Sequence, residues 1–164
     1  MSELRTLALG FRQAIVDCPD PGLVSLERFP YGSCGDASIL LGQYLYENGQ
    51  GVWTYVSAWE NRASHAWIEK NGLRVDITAD QFDGVDAPVI IASGGGWHDR
   101  FTVDPTASHG ALIDVREDFA RHEMREAYRR LTGIIRRHRP SGSGTVSAHG
   151  GRVHGSEGGR HGPG

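Results

Sequence analysis

A chain of 164 residues with 38% hydrophobic content is long enough to bury the core of one domain. No apolar run approaches the roughly 20 residues of a membrane-spanning helix, and the N-terminus mixes charges among its apolar residues, unlike a signal peptide. We therefore expect a cytoplasmic protein with no membrane partner. Cys18 and Cys34, the two cysteines, are too few for a disulfide framework and lack the CxxC spacing of structural zinc sites.

The net charge of −3 is distributed unevenly along the chain. Residues 1–113 carry 14 acidic and 7 basic side chains, whereas residues 114–164 carry 6 acidic and 10 basic ones. A basic second part is weak support for nucleic-acid binding. Acids are interleaved with the arginines of residues 114–139, so we expect a charged helix and no nucleic-acid partner.

Two amphipathic helices are predicted in the first third of the chain. Apolar side chains recur at helical spacing over residues 3–17, and Pro19 and Pro21 end that pattern because proline cannot continue a helix. A second helical face runs from Ala37 to Leu45, and Asn48-Gly49 is typical of a helix C-cap.

A sheet is predicted next. Residues 52–56 are β-branched and aromatic, and Asn71-Gly72 separates two further strand-like runs at residues 65–70 and 73–78. This dipeptide is the strongest short-range signal of a two-residue hairpin. Shorter strands are expected at residues 88–92 and 101–103, with a glycine-rich loop between them.

The last predicted element is a long helix over residues 114–138. Acidic residues lie near its start and arginines near its end, as the helix dipole favours. The element order predicts a single α+β domain over residues 1–138. Residues 139–164 are mostly Gly, Ser, His and Arg, and bury too little to offset their ordering entropy, so we predict a disordered tail. No pattern indicates an oligomeric state.

The segment Ser33-Cys34-Gly35-Asp36 has the capping-box pattern, with Ser33 as N-cap and Asp36 reaching back to its N–H. Cys34 then lies in the first helical turn, where the dipole and unpaired N–H groups stabilise a thiolate and are placed to hold an oxyanion. Gly35 leaves room for a substrate backbone. The alternative interpretation is a small buried cysteine at a helix start, and Cys18 is interpreted in that way as a packing residue.

The hairpin brings a histidine and an aspartate onto one face of the sheet. Pairing across Asn71-Gly72 puts Glu69 opposite Arg74 and collects the apolar side chains on the other face. His65 and Asp76 then become diagonal neighbours, about 7–8 Å apart at Cα. Asp76 can accept from one imidazole nitrogen while the other faces a nucleophile. The alternative is a solvated pair on an exposed sheet.

A cysteine at a helix start, followed by histidine and aspartate on successive antiparallel strands, resembles the transglutaminase-like branch of the papain-like superfamily. The matching segments are residues 32–37, 64–69 and 75–78. The resemblance implies a helix bearing the cysteine packed on an antiparallel sheet, with Cys34 as nucleophile, His65 as base and Asp76 as orienting residue. Papain itself has an oxyanion glutamine shortly before its cysteine, and this chain has Arg28 at that place, which leaves the second oxyanion donor unassigned.

Further substrate contacts are expected around this triad. Gln81 follows the Asp76 strand closely and is a candidate oxyanion donor, and Trp97-His98 follows the glycine run as a candidate lid. Trp67 shares the His65 face and is a candidate wall. The complete set of predicted substrate-binding residues is Ser33, Gly35, Trp67, Gln81, Trp97 and His98.

Zinc binding is the main chemical alternative, because Cys, His and Asp all bind that ion. No fourth ligand is evident in the sequence, and the positive end of a helix disfavours a cation. We therefore expect neither a metal nor another cofactor.

The preferred functional hypothesis is a thiol hydrolase that cleaves an amide bond as a peptidase, amidase or deamidase. Its partner would be a peptide, a protein or a small amide or acyl compound. Acyl transfer to an amine, as in a transglutaminase, uses the same machinery and stays open. A further alternative is a non-catalytic interaction module on the same scaffold.

Overall fold

The computed structural model describes residues 2–138 and has the predicted α+β organisation. Its three α-helices are α1 (Ser2–Val16), α2 (Cys34–Leu45) and α3 (Asp118–His138). Its strands are β1 (Thr54–Glu60), β2 (Ala63–Lys70), β3 (Leu73–Asp76), β4 (Ile90–Ser93) and β5 (Thr102–Gly110). No helix within residues 2–138 combines the length and apolar character that crossing a bilayer requires. The predicted disordered tail lies outside the described residues.

The five strands form one antiparallel sheet in the order β4-β3-β2-β1-β5. The predicted hairpin register is confirmed, because Lys70 pairs with Leu73 and Glu69 pairs with Arg74. Asn71 and Gly72 have φ values of 51° and 74°, the left-handed conformation that a tight hairpin turn requires. The sequence of this turn therefore decides which side chains share each face of β2 and β3.

Strand β5 is longer than predicted. The sequence indicated a short strand at residues 101–103, and the structure has nine residues, Thr102–Gly110. Pro105 lies inside this strand and made it look interrupted. The strand tolerates proline because it is at the edge of the sheet, pairs only with β1, and shifts its register between Tyr55 and Ser57.

The sheet separates two hydrophobic clusters. The larger one fills the space between the sheet and the helices, and includes Phe11 of α1, Leu41 of α2 and Leu131 of α3. The second lies under the segment that leads from β3 to β5, and its members are Val56, Ala58, Trp67 and Phe101, flanked by Phe82 and Trp97. This smaller cluster, which we call the aromatic cluster, surrounds the candidate site.

Helix α2 packs very closely against the backbone of Ala111 at Gly42. A Cβ atom at this position would lie 2.3 Å from the backbone oxygen of Ala111. Ala111 is itself held by a hydrogen bond from its N–H to the carbonyl of Trp53, at 2.8 Å. The contact therefore fixes the position of α2, and of Cys34 at its first turn, relative to the sheet.

Candidate active site

Cys34 is the first residue of α2 and is partly exposed. The turn Val24–Leu26 lies beside this helix start and holds it through Ser25. The Ser33 hydroxyl donates to the carbonyl of Ser25 at 2.7 Å, and the Ser25 hydroxyl donates to the carboxylate of Asp36 at 2.7 Å. Arg116 also donates to Asp36, at 3.0 Å. The start of α2 is thus anchored by side chains that point away from its axis.

The predicted capping box at this helix start is wrong. Ser33 occupies the N-cap position, but its side chain makes no capping hydrogen bond because its hydroxyl is directed at Ser25. The N–H of Ser33, which Asp36 was expected to satisfy, donates instead to the carbonyl of Pro30. Ser33 is fully buried, so it supports the helix start and does not line an open surface. The first N–H groups of α2 therefore donate no hydrogen bond to the Ser33 side chain.

His65 and Asp76 form the predicted contact. The Nε2 atom of His65 lies 2.7 Å from Oδ2 of Asp76, and the two residues are 1% and 2% exposed. The other carboxylate oxygen accepts hydrogen bonds from the N–H and the hydroxyl of Thr78, at 2.8 and 3.1 Å. A carboxylate held at both oxygens fixes the orientation of the imidazole.

The β2–β3 ladder ends before it reaches His65. The pairing of β2 with β3 stops at Ile68 and Val75, so no residue of β3 pairs with His65. The Cys34 thiol acts on the imidazole electrostatically and helps to raise the pKa of His65. Nε2 is directed at Asp76, which leaves the Nδ1 edge of the ring for this interaction. The structure thus brings the three predicted triad residues together.

The electrostatics of the pair favour its charged form. Burial acts to lower the pKa of His65, but hydrogen bonds and charges from Asp76 and Cys34 outweigh it and raise this pKa to about 9. Burial acts to raise the pKa of Asp76, and the hydrogen bonds from His65, His98 and Thr78 hold it far below its ordinary value. At neutral pH the site therefore contains an imidazolium beside a carboxylate.

His98 is a partner of Asp76 that sequence reasoning missed. Its Nε2 lies 2.8 Å from Oδ2 of Asp76, the oxygen that also binds His65, and the residue is 2% exposed. The turn Trp97–Arg100 presents it, after three successive glycines at residues 94–96 with φ of 58°, 65° and 94°. His98, predicted to contact substrate on a lid, is instead packed inside against the aspartate. The glycine run followed by Trp-His was the one signal that associated this segment with the site.

The aromatic cluster encloses the His65 ring. Ring centroids of Phe82, Trp97, Phe101 and Trp67 lie 5.0, 5.4, 5.4 and 5.9 Å from that of His65. Trp67 is buried and forms a wall beside the base, while Trp97 is partly buried. Exclusion of water strengthens the hydrogen bonds inside the enclosure, and it raises the cost of leaving any of them unmade.

Gln81 connects the loops on either side of the triad. Its amide nitrogen donates to the carbonyl of Thr78 at 3.0 Å and lies 3.4 Å from Nδ1 of His65. Its amide oxygen accepts from the N–H of Gly32, at 3.4 Å. Both ends of this side chain, predicted as an oxyanion donor, therefore already contact the protein.

His65, Asp76 and His98 are also potential metal ligands, with ligand atoms within 4.8 Å of one another. Zinc binds such atoms at about 2.0–2.1 Å, so tetrahedral ligands stand about 3.4 Å apart. The observed Nε2–Oδ2 separations of 2.7 and 2.8 Å are shorter and match hydrogen bonds. Within residues 2–138 the group has three members, one fewer than a structural zinc site uses. The distances between these atoms therefore fit direct hydrogen bonds better than coordination of a shared metal ion.

Comparison of the chain with known protein families, with curated proteins and with solved structures finds no match in any of the three.

Proposed function

We propose that this protein is a cysteine-dependent hydrolase of amide bonds on a papain-like, transglutaminase-like core. Cys34 is the nucleophile, His65 the acid and base, and Asp76 the residue that orients His65. The observation that carries the proposal is the buried hydrogen bond of His65 Nε2 with Asp76 at 2.7 Å. Cys34, at the start of α2, supports it because its influence helps to raise the pKa of His65. This is the nucleophile, base and orienter arrangement of covalent acyl chemistry.

The reaction follows from these positions. The Cys34 thiolate attacks the carbonyl carbon, a C–S bond forms, and N–H groups at the start of α2 hold the oxyanion. His65 transfers its proton to the leaving amine as the C–N bond breaks, which leaves an acyl-enzyme. Water then attacks the thioester while His65 accepts its proton, the C–S bond breaks, and the Cys34 thiolate and a carboxylic acid are released.

Transfer of the acyl group to an amine is the alternative outcome, because an amine can replace water in the last step without any change in the triad. The substrate class in either case is a peptide, a protein or a small amide. Incubation of the acyl-enzyme with a primary amine distinguishes the two, since transfer gives an amide product and hydrolysis gives the acid.

The first test is acylation by p-nitrophenyl acetate, followed by release of p-nitrophenol and by intact mass. Wild type and Cys18→Ala should gain one acetyl group, and Cys34→Ala should gain none. Unchanged acetylation of Cys34→Ala, or equal labelling of the two cysteines by iodoacetamide, would contradict the proposal. Turnover of peptide amides by wild type but not by Cys34→Ala would then establish the amidase activity itself.

A further inference from the structure

The first turn of α2 faces a phenol group on the neighbouring strand. Tyr55 lies on β1, and its hydroxyl oxygen is 3.5 Å from the position that a Cβ atom at residue 35 would take. Because residue 35 is glycine, no side chain separates the helix start from this hydroxyl. Tyr55 thus lies next to the residue that follows the nucleophile.

The phenol ring is held rigidly in this place. It stacks on the imidazole of His109 with a centroid separation of 4.7 Å and an interplanar angle of 9°. The two residues are directly paired between β1 and β5. A ring held on one face by this stack is positioned as a preorganised donor.

Tyr55 is held in its protonated form. Burial raises the pKa of its hydroxyl, and the negative charge of Cys34 raises it further. A protonated phenol has an O–H that can donate to an oxyanion.

Other side chains near Cys34 are less available for this task. The amide nitrogen of Gln81 is occupied by the carbonyl of Thr78 and faces His65. His65 itself must release its proton to the leaving group. A tetrahedral oxyanion at Cys34 is stabilised best by more than one donor, and the N–H groups of the helix start approach it from one side.

We infer that the hydroxyl of Tyr55 is a catalytic oxyanion donor, which acts together with the first N–H groups of α2 on the acyl group bound to Cys34. This inference rests on the proposed thiol mechanism. It implies that Tyr55 stabilises the tetrahedral transition state and is not required for the nucleophilicity of the thiol.

Two reagents that both react at the thiol separate these roles. Acylation by p-nitrophenyl acetate passes through a tetrahedral oxyanion, whereas alkylation by iodoacetamide is a direct displacement at carbon and forms none. Tyr55→Phe keeps the ring that stacks on His109 and removes only the hydroxyl. We expect its acylation rate to fall by about 10²-fold or more, with alkylation changed less than about threefold. Tyr31→Phe, which alters an exposed tyrosine on the loop before Cys34, is the matched control and should change neither rate.

Each contrary result has a distinct meaning. An unchanged acylation rate in Tyr55→Phe, with Cys34→Ala inactive, overturns the role of Tyr55 and leaves the thiol mechanism standing. An equal fall in acylation and alkylation shows that Tyr55 acts on the thiol and also overturns the inference. Acylation that persists in Cys34→Ala overturns the thiol mechanism and the inference together. A melting curve for each variant confirms that the comparison is made between folded proteins.

Discussion

The carboxylate of Asp76 accepts four hydrogen bonds, two on each oxygen. Those from Thr78 fix its plane, and those from His65 and His98 fix the orientation of two imidazole rings that share one acceptor oxygen. A buried carboxylate with four donors is costly to alter, because each donor that loses its acceptor stays away from water. At the scale of single residues, Asp76 therefore governs the local stability of the site and, in the proposed mechanism, its chemistry.

Replacement of this charge tests the orienting role. Asp76→Asn keeps the size of the side chain, but its amide group can present a donor where His65 or His98 needs an acceptor. We expect acylation by p-nitrophenyl acetate to fall by several orders of magnitude, up to about 10⁴-fold, while the protein remains folded. The pKa of His65 should fall at the same time, as followed by NMR of the imidazole. If both stay unchanged while His65→Ala is inactive, Cys34 and His65 act as a dyad.

In the proposed mechanism, His98 acts through its hydrogen bond with Asp76 and is therefore a positioning residue. His98→Leu removes a hydrogen-bond donor from the buried carboxylate. We expect the free energy of unfolding to fall by about 1–3 kcal/mol, and the acidic midpoint of the pH–rate profile of acylation to move to higher pH. His98→Gln retains an amide donor and should restore most of both properties. Failure of Gln to restore them would show that the imidazole is needed for another purpose. A stoichiometric metal ion in purified wild type, lost in both variants, would replace the hydrogen-bonded interpretation.

The contrast between His65 and His98 shows what the sequence can predict at this scale. The contact of His65 with Asp76 follows from a two-residue turn and the alternation of side chains, which are both local. His98 is 22 residues from Asp76 and reaches it through a glycine-rich connection with no periodic relation to the strand. The capping prediction failed for a related reason, because the partner of Ser33 is Ser25, on a separate turn.

At the scale of secondary-structure elements, the contact of α2 with Ala111, just after β5, sets the position of Cys34, the proposed nucleophile. A single added methyl group at Gly42 is enough to disturb this contact, because the neighbouring atom is a backbone oxygen and not the end of a flexible side chain. The same substitution is harmless in α1, where a Cβ atom at Gly10 would meet nothing within 4 Å. The two helices therefore offer a matched pair of tests.

Gly42→Ala should destabilise the protein by about 1–3 kcal/mol or more, because α2 must move away from Ala111 to make room. Gly10→Ala should be neutral or stabilising by up to about 1 kcal/mol, because alanine has a higher helix propensity than glycine at an exposed helical position. Urea unfolding of both variants measures the difference. Equal stability of the two would mean that α2 adjusts freely, and that Gly42 does not position Cys34.

The elements themselves were largely predictable, because the helices and the hairpin have regular periodicity and clear turn residues. Strand β5 was not, since Pro105 is a strand breaker in most settings and its edge position depends on the whole sheet. The papain-like assignment of the core stays a prediction. What the structure adds is the arrangement of the α+β elements around one sheet.

At the scale of the whole molecule, the sheet divides the site between two environments. Cys34 lies on helix α2, and the rings of His65 and His98 contact Trp67 of the aromatic cluster. The charges of the site are thus coupled to the stability of the second cluster, and hence to the free energy of unfolding. This coupling makes global stability depend on pH.

The sign of that dependence follows from the two pKa shifts. His65 has its pKa raised from 6.5 to about 9, so its contribution is complete below pH 6.5 and is lost as the pH rises through 9. The difference corresponds to at most about 3 kcal/mol. Asp76 has a lowered pKa, so its contribution is present above its ordinary value of 3.8 and is lost as the pH falls. We expect the site to stabilise the fold most between these limits, at roughly pH 4–6.5.

Urea unfolding at pH 6 and at pH 9.5 measures the alkaline limb. The free energy of unfolding of wild type should fall between pH 6 and pH 9.5. The fall should be smaller in His65→Gln, which has no titrating group at this position, and the difference is the contribution of His65. Other titrating groups cancel in this comparison because both proteins contain them. The same loss in both proteins would show that His65 is not the group responsible.

The enclosure of His65 by Trp67 and Trp97 has one more consequence, which is optical. A protonated imidazole quenches the emission of an indole that it touches, whereas the neutral ring quenches weakly. With ring centroids 5.9 and 5.4 Å from His65, the two tryptophans are near enough to sense its proton. The intrinsic fluorescence of the folded protein should therefore brighten as the pH passes about 9, and it should report the charge of the base without any label or substrate.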